Sequence, residues 1–138
     1  MIRDGLFYRK FTEVPFTGKV TGKQRGPFQG SLKDGRWDGP YVGYYEDGKV
    51  SFKQTFKDGK RVGPWVSYHE NGKLKRKGTY KDLKKDGPWV YYYESGKLWT
   101  KGTYQNGKKH GPWVRYYEDG TVNKYVTGTY KDDKKISD

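Results

Sequence analysis

The pair Gly-Pro recurs at residues 39–40, 63–64, 87–88 and 111–112, always 24 residues apart. An aromatic residue follows each pair (Tyr41, Trp65, Trp89, Trp113), and a glycine recurs with it (Gly48, Gly72, Gly96, Gly120). Whatever one copy folds into, its neighbours must repeat, and each must bury its apolar side against the next. A second landmark, Gly-Thr-Tyr, stands at 78–80 and 102–104 and returns two residues late at 128–130. That delay places a two-residue insertion within "TVNKYVT". The repeat units are 30–53, 54–77, 78–101 and 102–127. Residues 128–138 form a half-repeat and C-terminal cap. Residues 1–29 form an N-terminal cap with degenerate echoes of the unit in "PFTGKVTG" and "GPFQG".

Each unit contains two turn signals. "EDGK", "ENGK", "ESGK" and "EDGT" make one set, and "KDGR", "KDGK" and "QNGK" the other. Asp-Gly and Asn-Gly supply the positive φ that two-residue hairpin turns require. The intervening runs, such as "WVSYHE" and "LKRKGTYK", are rich in Trp, Tyr, Val and Thr, as strands are. A Gly or Pro every few residues and the lack of a 3.6-residue apolar period disfavour helices. The expected fold is all-β: an elongated antiparallel meander of about ten strands in a single twisted or curled sheet. Leu83 and Asp133 stand where Gly35, Gly59 and Gly107 stand, so those two turns are expected to differ.

With Asp47-Gly48 as a two-residue turn, Glu46 opposes Lys49, Tyr45 opposes Val50 and Gly43 opposes Phe52. Alternation then sorts the side chains by face. One face carries the expected core: Tyr41, Phe52, Phe56, Trp65, Tyr80, Trp89, Tyr104, Trp113 and Tyr130. Only 31% of residues are hydrophobic but 18% are aromatic, so these rings must supply most of the burial. A single sheet must cover them by curling or by dimerising. The other face carries the candidate contact residues Tyr68, Lys73, Lys75, Lys77, Tyr92, Lys97, Trp99 and Lys101. Glu46–Lys49, Glu70–Lys73 and Glu94–Lys97 are expected to pair beside the turns. The assignment assumes no bulge; the Gly-Pro element is the natural place for one, because proline interrupts a ladder.

The unit G-x-Y-K-[DN]-G-K-x-x-G-P-W-V-x-Y-Y-E-x-G-K-L resembles the MORN repeat in its bacterial variant form, closest to YwqK-type antitoxin-like chains. Trp65, Tyr68, Gly72, Gly78 and Tyr80 and their copies 24 residues later carry the resemblance, which spans roughly residues 30–138. It implies an elongated β-hairpin array used for contacts with other molecules. Antitoxin or immunity roles, phospholipid binding and dimerisation are the properties it brings with it.

No catalytic, metal or cofactor site is expected. His69 sits in a Tyr slot, His110 precedes a Gly-Pro, and neither has a Cys or paired carboxylate in its motif. No glycine-rich turn leads into a helix, as a phosphate loop would. Cysteine is absent, which excludes disulfides and thiolate sites. The formal net charge is +13, and unit 54–77 is the most basic, with seven Lys/Arg against two Asp/Glu. A non-enzymatic module for a protein partner, a toxin among the candidates, is the leading expectation. The charge also suits an anionic surface of phospholipid headgroups or envelope polymer. Nucleic acid is disfavoured for want of any recognition motif. A structural spacer, or a homodimer through the aromatic face or a sheet edge, needs no ligand. Residues 1–20 show no apolar signal region and no run reaches transmembrane length, so a soluble chain is expected. A removed leader, with a periplasmic or secreted location, stays open.

Overall fold

Two kinds of turn, alternating along the chain, set the architecture. The computed structural model describes residues 2–3, 6–7, 15–23 and 26–138. A two-stranded pair, β1 (Ile2–Arg3) and β2 (Leu6–Phe7), forms a sheet of its own, held to one large sheet by the Phe7 N–H donating to the Gly35 carbonyl (2.7 Å). That sheet takes its strands in chain order: β3 (Gly18–Lys23), β4 (Pro27–Lys33), β5 (Arg36–Tyr44), β6 (Val50–Lys57), β7 (Lys60–Tyr68) and β8 (Leu74–Lys81). It continues through β9 (Lys84–Tyr92), β10 (Leu98–Gln105), β11 (Lys108–Arg115), β12 (Gly128–Lys131) and β13 (Lys134–Ser137). All 11 strands are antiparallel neighbours with no crossover, an extent of about 48 Å at about 4.8 Å per strand. The echoes in the N-terminal segment lie in strands of this sheet: β3 pairs with β4 over Gly18–Lys23. The rest of that expected cap includes residues 1, 4–5, 8–14 and 24–25, outside the described residues.

On one edge the turns are two-residue turns with both residues at positive φ. Asp58 and Gly59 have φ of 49° and 78°, and Asn106 and Gly107 of 50° and 82°. The turns expected to differ do not: Asp82 and Leu83 stand at 48° and 66°, and Asp132 and Asp133 at 48° and 69°. The strands on either side fix the register, and only this turn geometry matches their twist. Leucine and aspartate are therefore held in a conformation that glycine adopts at less cost.

On the other edge the turn is one residue longer than expected. The Tyr45 N–H donates to the Lys49 carbonyl (2.7 Å) and the Gly48 N–H to the Tyr45 carbonyl (2.9 Å). Glu46, Asp47 and Gly48 form the loop, and Lys49 faces Tyr45 rather than Glu46. The same bonds recur at His69–Lys73, Tyr93–Lys97 and Tyr117–Thr121. A one-residue bulge then cancels the offset. Tyr44 pairs with Val50 but Gly43 with Phe52, which leaves Ser51 extra; Lys75 and Trp99 are the extra residues in the next two copies. Beyond the bulge the expected register is restored.

The Gly-Pro element is also a bulge, of two residues. Lys77 pairs with Val90 and Thr79 with Asp86, so three residues (Gly87, Pro88, Trp89) oppose Gly78 alone. An even insertion preserves the alternation of faces. Pro88 has no N–H, and the Trp89 indole N–H donates to the Thr79 carbonyl instead (3.2 Å). Trp113 repeats this with Thr103 (3.0 Å).

Side chains of the sheet itself cover much of the aromatic face, and at the N-terminal end Phe7 of β2 packs edge-on against Trp37 at 5.3 Å. The rings of Trp89 and Trp113 lie over Gly78 and Gly102, where any Cβ would collide with them. Tyr80 meets Trp89 edge-on at 5.3 Å, and Tyr104 meets Trp113 at 4.9 Å. Basic side chains lie on top: Arg76 over Trp65 (4.5 Å), Lys85 over Trp89 (4.7 Å) and Lys109 over Trp113 (4.8 Å). Trp65, Trp89, Trp113 and Tyr130 are buried; Tyr41, Phe52, Phe56, Tyr80 and Tyr104 are half-buried beside them. Long cationic stems snorkelling over the aromatic rings contribute to this cover.

Candidate interaction groove

The face opposite the tryptophans carries two rows of side chains that run across the strands. Direct cross-strand partners link Val42 to Lys53, Lys53 to Val66, Val66 to Lys77, Lys77 to Val90, Val90 to Lys101 and Lys101 to Val114. A lysine therefore recurs on every second strand, at intervals of about 10 Å, with a half-buried valine between. Beside this row runs a second, in which Pro64 faces Thr79, Thr103 faces Pro88 and Pro112 faces Thr129. From β7 to β12 the two rows line an open groove of about 870 Å³. Asp138 reaches its far end. The prolines sit here because the Gly-Pro bulge places them here, free of the ladder bond they cannot make.

Of the expected contact residues, Lys77 and Lys101 lie in the groove. Tyr68 and Tyr92 follow Val66 and Val90 on the same face, beyond the groove lining, near the edge of the longer turns. Lys73 and Lys97 serve the scaffold: their ammonium groups donate to the carbonyls of Ser95 (2.7 Å) and Glu118 (2.9 Å) in the next copy's turn. Lys75 is exposed at the bulge. Trp99 belongs to the aromatic face, contrary to expectation. Its ring meets Tyr91 edge-on at 6.1 Å and Tyr93 at 6.0 Å, under the Arg115 guanidinium at 5.3 Å. Simple alternation fails there because Trp99 is the extra residue of its bulge.

The expected Glu–Lys pairs do not form among the described residues. Lys49 reaches Asp47 (3.4 Å) and the Glu70 carbonyl (3.3 Å), while Glu46 lies 3.7 Å from Lys23. The copies are joined through their turns instead. The Tyr45 hydroxyl donates to the Tyr68 carbonyl (2.6 Å) and the Tyr93 hydroxyl to the Tyr116 carbonyl (2.8 Å). His69 fills the same slot with Nε2 3.0 Å from the Tyr92 carbonyl, so this histidine is a clamp between copies. Sequence reasoning missed Lys53 and the Pro–Thr row as site residues. Their signal was present as recurrence at the 24-residue period. No group of His, Asp or Glu among the described residues is arranged to hold a metal ion. Among the described residues no helix is long and apolar enough to cross a membrane.

An open, single-layer array of hairpins with the same side chains in register along both faces defines a β-hairpin repeat scaffold. The family model described as the MORN repeat variant matches residues 37–58, 61–82, 85–106 and 109–132, well over half of the chain. The chain belongs to that family, whose repeats are generally non-catalytic interaction modules. The family frame opens seven residues after unit 30–53, with the same 24-residue spacing between starts. A search of curated proteins finds no match.

Proposed function

We propose that the protein is a non-catalytic module that holds an acidic segment of a protein partner along the groove. The observation that carries this reading is the in-register Val–Lys row beside the Pro–Thr row. It offers positive charge at a fixed interval on a mostly aliphatic floor. A peptide in the polyproline II conformation rises about 3.1 Å per residue with three residues per turn, so carboxylates at every third position lie on one side about 9 Å apart, close to the lysine interval. Charge complementarity of this kind sets partner choice and encounter rate. The test is fluorescence anisotropy with a peptide bearing Glu at every third position and Val between. We expect binding that falls more than tenfold in the Lys53→Glu/Lys77→Glu/Lys101→Glu variant and is weaker when Glu stands at every second position. Equal binding by wild type and variant would refute the reading. A toxin is one such partner, and protection on co-expression that is lost in the same variant is the outcome this form of the reading requires. The net charge of +13 favours a second reading, an anionic lipid surface. Flotation with anionic vesicles at low salt, abolished by the triple variant, would support that reading instead.

A further inference from the structure

On the aromatic face Arg76 and Lys85 have no counter-charge among the described residues. Ser67, Arg76 and Tyr91 are direct cross-strand partners on β7, β8 and β9. The Lys85 ammonium lies 2.9 Å from the Tyr91 hydroxyl, which is 3.3 Å from the Tyr104 hydroxyl. Lys85 also lies over the rings of Trp89 and Tyr104. No salt bridge reaches Arg76 or Lys85 among the described residues. The equivalent cation in the next copy, Lys109, has Asp133 beside it: the Lys109 N–H donates to the Asp133 carboxylate (2.8 Å). At the corresponding place beside Lys85 stands Gly107, whose N–H donates to the Lys85 carbonyl. Lys85 and Arg76 therefore keep like charges near each other with no carboxylate between. Burial, and then Arg76, pushes the Lys85 ammonium below its ordinary pKa, whereas Asp133 partly offsets the same effect at Lys109.

Two polar atoms at this place have no hydrogen-bond partner among the described residues. The Ser67 hydroxyl is buried and unpaired in a residue only 6% exposed, and the Arg76 Nε is likewise buried and unpaired. Buried donors left without acceptors are costly, and native structures rarely keep them unless a ligand or solvent completes them. Tyr91 adds a further donor. Its phenol is pushed well above the ordinary tyrosine value, first by burial and then by its bond to Tyr104, so it keeps its proton throughout the working range.

We propose that Arg76, Lys85, Ser67 and Tyr91 form a binding site for a dianionic phosphate group. Two cations without an acid call for a ligand of charge near −2, which a phosphomonoester approaches at neutral pH. A guanidinium, an ammonium and two hydroxyls supply the charge-assisted bonds that phosphate oxygens accept. This site lies on the opposite face from the groove and does not depend on the acidic-peptide reading.

The experiment is an NMR titration of the full chain with inorganic phosphate at constant ionic strength, with O-phospho-L-serine and acetate in parallel. Both phosphates are expected to give saturable shifts centred on Arg76, Lys85 and Tyr91, and acetate none. Tighter binding of phosphoserine than of phosphate assigns the site to a phosphoester; the reverse order assigns it to the free ion. Lys85→Met keeps a stem over Trp89 without the charge, and Arg76→Gln leaves Lys85 in place. Each is expected to weaken phosphate at least tenfold, with far-UV circular dichroism checking the fold. The Lys53/Lys77/Lys101 charge-reversal variant is expected to retain binding. Absence of saturation in wild type, or unchanged affinity in a folded Lys85→Met or Arg76→Gln protein, overturns the proposal.

Discussion

Gly78→Ala tests the packing device on which the single-layer fold rests. Gly78 lies on β8 beneath Trp89, and a Cβ there would stand 2.1–2.6 Å from three atoms of the indole. Ordinary contact begins near 3.4 Å, so the ring must move by more than 1 Å. Trp89 is only 2% exposed and is fixed by Trp65, Tyr80, Tyr104 and Lys85 around it. Its indole also holds the Thr79 carbonyl opposite the Gly-Pro bulge. Overpacking of this kind costs about 1–3 kcal/mol, and the lost hydrogen bond about 1 kcal/mol. Replacing a strand glycine recovers about 0.5–1 kcal/mol of backbone entropy. The expected net loss is about 1–3.5 kcal/mol, or roughly 4–14 °C in Tm for a chain of this length. Thermal unfolding followed by far-UV circular dichroism measures the loss, and the near-UV tryptophan band reports the displaced ring. In a Trp89→Leu background the same substitution is expected to cost far less, because the collision partner is gone. A Gly78→Ala protein as stable as wild type, with an unchanged near-UV spectrum, would show that the indole does not lie over Gly78.

Two further outcomes follow from the turns and the tyrosines. Leu83→Gly is expected to stabilise by about 0.5–1 kcal/mol, since φ of 66° costs a leucine about 1–2 kcal/mol, glycine gives back part of that in chain entropy, and a side chain 58% exposed loses little packing; an unchanged or lowered urea midpoint contradicts this. Tyr91→Phe tests linkage. The folded pKa of Tyr91 lies above the unfolded value of 10.0, so the unfolded chain releases its proton first as pH rises, and the stabilisation present below pH 10 is lost progressively above it. Wild type is therefore expected to lose more stability than Tyr91→Phe between pH 8 and pH 11, and equal losses in urea melts would refute the raised pKa.

The sequence by itself determined the repeat, its 24-residue period, the all-β meander and the aromatic face. Those follow from local rules: Asn-Gly and Asp-Gly turns, period-two alternation, and too few aliphatic residues to build any other core. Lys77 and Lys101 were legible as face residues for the same reason. The tertiary structure decided the exceptions, and each concerns register. A turn one residue longer than its Asp-Gly suggests, cancelled by a bulge at Ser51, Lys75 and Trp99, restores the register; at Trp99 the ring also joins the aromatic face. The same longer turn moves Lys49 away from Glu46, and Lys73 and Lys97 reach across to the next copy's turn carbonyls. Leu83 and Asp133 adopt the glycine conformation because the paired strands on both sides leave no other closure. The lack of a counter-charge for Lys85 was also invisible in one dimension, because Gly107 stands 22 residues from Lys85 and meets it only through the stacking of neighbouring turns. Composition and period specify which surfaces a repeat protein has; the bulges, which depend on both strands at once, specify which side chain reaches which surface.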